Sequence, residues 1–257
     1  MEYPKLLQKA KNLPGGIVAT LVVSLSVIVT AAAADPSPFT AEYQARYGGF
    51  KASAERSLEH VEDGSLQMFT TLQLKFFGKT ISRIRESSIL ENDTDTGEWR
   101  PLAYNFEQSG IGSRKRNITF DWENTTATTV NGRNENVIAL EGTAMDNLSG
   151  YLALREQLLA GKQEVLFQGI DKGELKEFRY RVIGEEPLET DAGNFNALKL
   201  ERVRDATSRR TTEIWLAPHW DYLLLKLVQK EPGSNTISLE LTSATVAGQT
   251  VKPGKNG

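Results

Sequence analysis

Leu66-Gln67-Met68-Phe69-Thr70-Thr71-Leu72-Gln73-Leu74-Lys75-Phe76 is the stretch that decides the fold. Leu66, Met68, Thr70, Leu72, Leu74 and Phe76 fall on one side of an extended chain, and Gln67, Thr71, Gln73 and Lys75 on the other. That period of two is the mark of a strand with one buried face. Phe69 and Phe77 interrupt the polar side, so part of it is expected to be covered as well. Glu62-Asp63-Gly64 before the stretch and Gly78 after it are turn signals, which makes this strand the middle of two hairpins.

The same pattern continues in both directions. Upstream, Tyr43, Ala45 and Tyr47 share one face up to Gly48-Gly49, and Ala52, Ala54, Arg56 and Leu58 resume it. Downstream, the segment 80–91 sets Ile81, Arg83 and Arg85 against Ser82, Ile84 and Glu86, and the cluster 92–97 reads as an exposed turn. Pro101 opens a strand with Leu102, Tyr104 and Phe106 on one face. The next strand alternates Arg114, Arg116, Ile118, Phe120 and Trp122 against Lys115, Asn117, Thr119 and Asp121. Segments 125–130 and 136–140 flank Asn131-Gly132 as hairpin arms.

One segment changes period. Over 146–160, Leu148, Tyr151, Leu152, Arg155, Leu158 and Leu159 recur at helical spacing, with Asp146 placed to cap the start and Gly161 to end the helix. Strand patterns return at 164–168, 175–182, 195–203, 209–217, 222–229 and 236–246. A long series of antiparallel strands with a single helix predicts a mainly β fold. The expected form is one curved antiparallel sheet making an open, half-closed barrel covered by the helix, with a β-sandwich as the alternative.

The first 34 residues have a different composition. Lys5, Lys9 and Lys11 precede an uncharged, mostly apolar run of 14 residues from Ile17 to Thr30, and Ala31-Ala32-Ala33-Ala34 leads to Asp35. This is the layout of a cleavable signal peptide, and the run is short of the ~20 residues a membrane span needs. The expected organisation is a signal peptide at 1–34, a β-rich open-barrel domain at 35–247 and a disordered tail at 248–257. Export without a membrane span predicts a periplasmic protein. With Cys 0 it is not a lipoprotein.

Bulk charge narrows the function classes. Without residues 1–34, which hold three Lys and one Glu, the net charge moves from −3 to −5. An acidic chain argues against sequence-independent binding of nucleic acid, which needs a basic face. No cysteine and only His60 and His219 argue against a metal site, and no cofactor is implied.

Three blocks of the second half have a familiar order and spacing. They are Met145-Asp146-Asn147-Leu148-Ser149 running on to Leu159-Ala160-Gly161; Leu188-Glu189-Thr190-Asp191-Ala192-Gly193-Asn194-Phe195; and Arg209-Arg210-Thr211-Thr212-Glu213-Ile214-Trp215-Leu216-Ala217-Pro218. With Arg116 leading to Phe120-Asp121-Trp122, they resemble the exported bacterial family called domain of unknown function 3108. The resemblance implies a periplasmic protein with a fold similar to the open barrels of the lipoprotein carriers LolA and LolB. It implies no activity and no catalytic residues. Family members often carry a proline near Leu224, and its absence here suggests an uninterrupted strand.

Arg83/Arg85 and Arg114/Arg116 put pairs of cations on single strand faces, a way to hold a phosphate or carboxylate head group. Tyr104, Phe106, Phe120 and Trp122, with Phe76 and Phe77, are the aromatics that would line a cavity in a partly closed sheet. These arginines and the first four aromatics form the candidate site for an apolar or acyl-chain ligand. Ordinary core packing and solvated charge stripes are the simpler reading of both groups.

Asp121, Asp146 and His219 are the candidate acid–base groups. Their structural alternatives are an arginine partner on a neighbouring strand for Asp121, a helix cap for Asp146 and a turn residue for His219. No Gly-x-Ser-x-Gly nucleophile motif accompanies them, so catalysis is the least favoured class. The readings that remain are a binding or carrier module for a hydrophobic ligand and, as the alternative, a structural adaptor contacting an envelope protein.

Overall fold

The computed structural model describes residues 35–47 and 50–253. The expected signal peptide at 1–34 and the last four residues of the expected tail lie outside the described residues. The first half forms β1 (Phe39–Tyr47), β2 (Phe50–His60), β3 (Leu66–Phe76), β4 (Lys79–Asn92), β5 (Trp99–Gly110), β6 (Arg114–Asp121), β7 (Thr126–Asn131) and β8 (Asn134–Ala139). A short β9 (Ala144–Met145) leads into α1 (Gly150–Leu159). Then follow β10 (Glu164–Asp171), β11 (Glu174–Thr190), β12 (Gly193–Val203) and β13 (Thr211–Ala217). A 3-10 turn at Pro218–Trp220 precedes β14 (Leu223–Lys230), β15 (Ile237–Val246) and β16 (Gln249–Thr250).

All of these strands belong to one sheet, in the order β8-β7-β6-β5-β4-β3-β2-β1-β15-β14-β13-β12-β11-β10-β9, with β16 beside β15. Neighbours are antiparallel except β9 and β10. β8 and β9 end the order without pairing with each other, so among the described residues the curved sheet stays open, as expected, and no sandwich forms. Register shifts at Glu42/Tyr43, Ile89/Leu90, Val182/Gly184 and Trp215/Leu216 mark bulges, which bend and twist the strands that carry them.

The concave face holds the core. Ala41 and Tyr43 of β1, Leu58 of β2, Leu66 and Met68 of β3, and Leu241 of β15 are buried on it. α1 sits in this hollow with Leu152, Leu154, Arg155 and Leu158 buried. Its end follows the expectation: Gly161 adopts φ +75° and donates to the Leu158 carbonyl at 2.9 Å, while Lys162 N–H reaches Gln157 O at 3.0 Å.

Three boundaries differ from the sequence expectation. α1 begins at Gly150 rather than near Asp146, because the Asp146 carboxylate accepts from Leu148 N and Ser149 N and folds that segment into a turn first. β11 runs on to Thr190 instead of stopping near Val182. The bulge at Val182/Gly184 breaks the alternation, and beyond it the strand lacks β10 as a partner, which is where Pro187 is tolerated. The tail is ordered further than expected. Gln249–Thr250 pair with β15, and Val251 is buried and donates to Ala244 O at 2.9 Å.

Gly110 ends β5 at φ +81°, and a Cβ there would lie 2.3 Å from the Ile81 carbonyl oxygen. Gly110→Ala is therefore expected to lower the unfolding free energy by about 2 kcal/mol or more, from left-handed strain plus the clash. A urea titration measures it, and an unchanged midpoint would contradict the tight crossing.

Candidate functional site

The interior is not completely filled. Between α1 and strands β10, β11, β13 and β14 lies a cavity of about 160 Å³. One wall is aromatic: Phe167 stacks on Phe178 at 5.3 Å and on Tyr180 at 6.3 Å, with ring planes within 12°. Pairing of β10 with β11 causes this, since Phe167 opposes Phe178 and Val165 opposes Tyr180 on the same face. Leu154 of α1, Ile214 and Leu216 of β13, and Leu224 and Leu227 of β14 supply aliphatic surface.

One cation looks into this space. Arg56 on β2 lines the cavity together with Asp146 and Asn147. It shares the inward face of β2 with Ala54 and Leu58, as the register with Ala41 and Thr70 requires. Among the described residues no carboxylate lies within ion-pair distance of Arg56. Its charge is still felt. It favours the ionised forms of Glu86 and Tyr43, although burial outweighs it in both, and the Tyr43 hydroxyl is pushed up to about 12.

A hydrogen-bonded polar group lies alongside. Tyr104 OH donates to Glu86 Oε2 at 3.0 Å, and Asn147 Nδ2 donates to the same hydroxyl at 3.1 Å. Ser88 Oγ donates to Asp146 Oδ2 at 2.6 Å. Burial raises the Glu86 carboxyl above its usual range against the opposing Tyr104 hydrogen bond, and burial raises Asp146 too. These bonds tie the entry to α1 onto β4 and β5. The Thr70 Oγ1 and Arg116 Nε atoms, on inward positions of β3 and β6, are buried without a hydrogen-bond partner.

The residues expected from sequence are not gathered in one place. Arg114 and Arg116 point inward from β6 and stack on Phe106, at 5.1 Å and 4.5 Å from its centroid. Arg83 and Arg85 lie on the opposite face of the sheet. The register aligns Glu86 with Phe106 and Phe106 with Arg116, so Glu86, not Arg85, shares a face with Arg116, and β5 separates β4 from β6. The two arginine pairs therefore form no common anion site. Tyr104, Phe106 and Phe120 are buried in the first half of the sheet, and Trp122 stacks on Phe120 at 5.5 Å while donating to Pro101 O at 2.8 Å. None of these four lines the cavity.

Phe76 and Phe77 are exposed at a hairpin tip rather than turned inward. Asp121 is exposed and accepts from Asn124, so it does not join Asp146, and His219 is exposed in the 3-10 turn. Phe167, Phe178, Tyr180 and Arg56 were missed as site residues. Arg56 did leave a signal, as the one charge in the otherwise small and apolar series Ala52, Ala54, Leu58.

A family model described as Protein of unknown function (DUF3108) matches residues 42–242. No curated protein matches the chain. Among solved structures, the chain is similar to a β-barrel-like protein of domain of unknown function DUF1849 from Brucella abortus. The TM-score is 0.55 at 10% identity, over 82% of this chain and 98% of that one. At that identity the likeness concerns the fold alone.

Proposed function

Because the chain belongs to the DUF3108 family, whose description carries no activity, we propose a function from its own interior: a periplasmic binding or carrier module for a hydrophobic, lipid-like ligand with an acidic head. One observation carries the reading. An apolar, aromatic-walled cavity of about 160 Å³ is faced by Arg56, an inward cation with no carboxylate partner among the described residues. A cavity of roughly 150 Å³ holds a benzene-sized group, so about six carbons of a chain would fill this one. The remainder would lie along the concave face over the half-buried Leu72, Ile84 and Leu239. Apolar burial supplies affinity at about 25 cal/mol per Å², and the guanidinium selects a carboxylate or phosphate.

Uptake of a dansyl-labelled fatty acid tests this directly, alongside native mass spectrometry of protein purified from cells. Saturable uptake of one probe per chain is expected. Leu227→Trp, which fills the cavity from a half-buried position, is expected to weaken uptake at least tenfold with little change in the unfolding midpoint. Arg56→Gln should weaken the fatty acid about tenfold and leave the matching alcohol unaffected, a charge-assisted hydrogen bond being worth about 1.5–3 kcal/mol. Protein recovered empty that takes up no probe defeats the proposal. The periplasmic part rests on the layout of residues 1–34, and N-terminal sequencing of the exported protein should begin at Asp35.

A further inference from the structure

The end of the sheet remote from α1 has a distinct surface. Three hairpins point their tips the same way there: β1/β2, β3/β4 and β5/β6, with the start of β15 beside them. Each tip exposes apolar side chains flanked by cations. Arg46-Tyr47 closes β1 and Phe50-Lys51 opens β2, with both aromatics 51% exposed. The next tip reads Lys75-Phe76-Phe77-Gly78-Lys79, with Phe76 51% and Phe77 90% exposed. The third exposes Ile111 at 69% ahead of the exposed Arg114-Lys115. Ile237 of β15 pairs with Tyr47 and extends the row.

The middle tip is held against backbone preference. Phe77 has φ +47° and Gly78 φ +75°, a two-residue turn whose first position favours Asn, Asp or Gly. A left-handed phenylalanine, stacked edge-on against Phe76 at 4.4 Å and otherwise in solvent, gains nothing for the fold from its side chain. Neighbouring strands are about 5 Å apart, so the three tips stand about 10 Å from one another in one row.

Charge follows the same polarity. Among the described residues, no carboxylate pairs with Arg46, Lys51, Lys75, Lys79 or Arg114; Lys115 pairs with Glu107. The turns at the other end of these strands are acidic, with Glu62-Asp63, Asp93, Asp95 and Glu123. On the β10–β14 side the same end is mixed, with Arg210 paired to Glu231 and Lys176 to Asp171 and Glu174. The basic, aromatic row is confined to β15 through β6, within a chain of net charge −3.

We propose that this row docks the protein edge-on to an anionic lipid bilayer, with Phe76 and Phe77 entering the interface and the flanking lysines and arginines meeting acidic head groups. Aromatic side chains between cations suit the headgroup boundary, where rings are buried shallowly and long basic side chains reach back to phosphate. The mouth of the concave face would then open at the membrane. Docking does not require that the cavity hold a ligand.

Flotation with vesicles of phosphatidylglycerol and phosphatidylethanolamine, compared with phosphatidylcholine alone, tests it on the purified protein. Binding to the anionic vesicles only is expected. It should fall at least tenfold for Phe76→Ser/Phe77→Ser and for Lys75→Gln/Lys79→Gln, with unchanged circular dichroism, and should not change for Glu62→Gln/Asp63→Asn. The tip variants should keep fatty-acid uptake in solution, and Leu227→Trp should keep vesicle binding, so the two proposals fail separately. No binding to anionic vesicles overturns docking, as does binding that survives the Phe76/Phe77 change. Self-association abolished by that change, without vesicle binding, overturns it in favour of a second copy.

Discussion

Arg155→Ala is expected to lower the unfolding free energy by about 3–5 kcal/mol, the range for removing one partner of a buried ion pair. Arg155 Nε lies 2.7 Å from Asp221 Oδ1, and both side chains are nearly closed to solvent. The pair joins three separate parts of the chain. Arg155 also donates to Asp35 O at 3.2 Å, the other Asp221 oxygen accepts from Ser37 N at 2.7 Å, and Tyr151 OH donates to Asp221 O at 2.8 Å. Asp221 and Tyr222 both have positive φ, +54° and +59°, a strained corner that these contacts hold in place.

Alanine would leave the Asp221 carboxylate buried without its cation and free the α1 face that walls the cavity. Chemical denaturation gives the loss. The double variant Arg155→Met/Asp221→Asn, which removes both charges and keeps the volume, should recover at least half of it. A loss under about 1 kcal/mol for Arg155→Ala would mean that solvent screens the pair.

The strands were legible where apolar residues alternate regularly with polar ones. β3 reads from Leu66 to Phe76 as the alternation indicates, and the helical spacing of Leu152, Arg155 and Leu158 marks the buried face of α1. Spacing reports which residues share a face but not which face is concave, because register with the neighbouring strand decides that. Arg83/Arg85 and Arg114/Arg116 have the same pattern locally, yet pairing through β5 sends them to opposite sides. Phe76 continues the inward series of β3 in sequence, but the register shift after Leu74 and the turn at Phe77-Gly78 put it in solvent. The cavity was beyond reach for a related reason. Arg56 comes from a strand far in sequence from the hairpin that carries Phe167 and Tyr180, and only the curvature of the whole sheet brings them to one space.

Asp146→Ala is expected to cost about 3–5 kcal/mol, whereas Asp146→Asn should be close to neutral. The carboxylate accepts from Ser88 Oγ at 2.6 Å, Leu148 N at 2.7 Å and Ser149 N at 3.0 Å, all buried. Alanine strands these donors at about 1–3 kcal/mol each, partly relieved by local relaxation. Asparagine keeps the Oδ1 acceptor for the two amides and can donate to Ser88 Oγ, whose hydroxyl turns to accept. A protonated Asp146 would make the same set of bonds.

Burial raises Asp146 above its ordinary 3.8 despite the three donors. The folded chain therefore keeps a proton that the unfolded chain releases. The resulting stability is full below the ordinary value and is lost as pH rises through the raised one. Exposed Asp63 and Asp121 and half-buried Asp93, lowered by local hydrogen bonds, act in the opposite sense but are common to both proteins. The difference in unfolding free energy, wild type minus Asp146→Asn, should accordingly fall as pH is raised from 4 towards neutrality. A difference that rises would mean the hydrogen bonds to the charged form outweigh burial, and asparagine, which cannot carry that charge, would then be damaging as well as alanine.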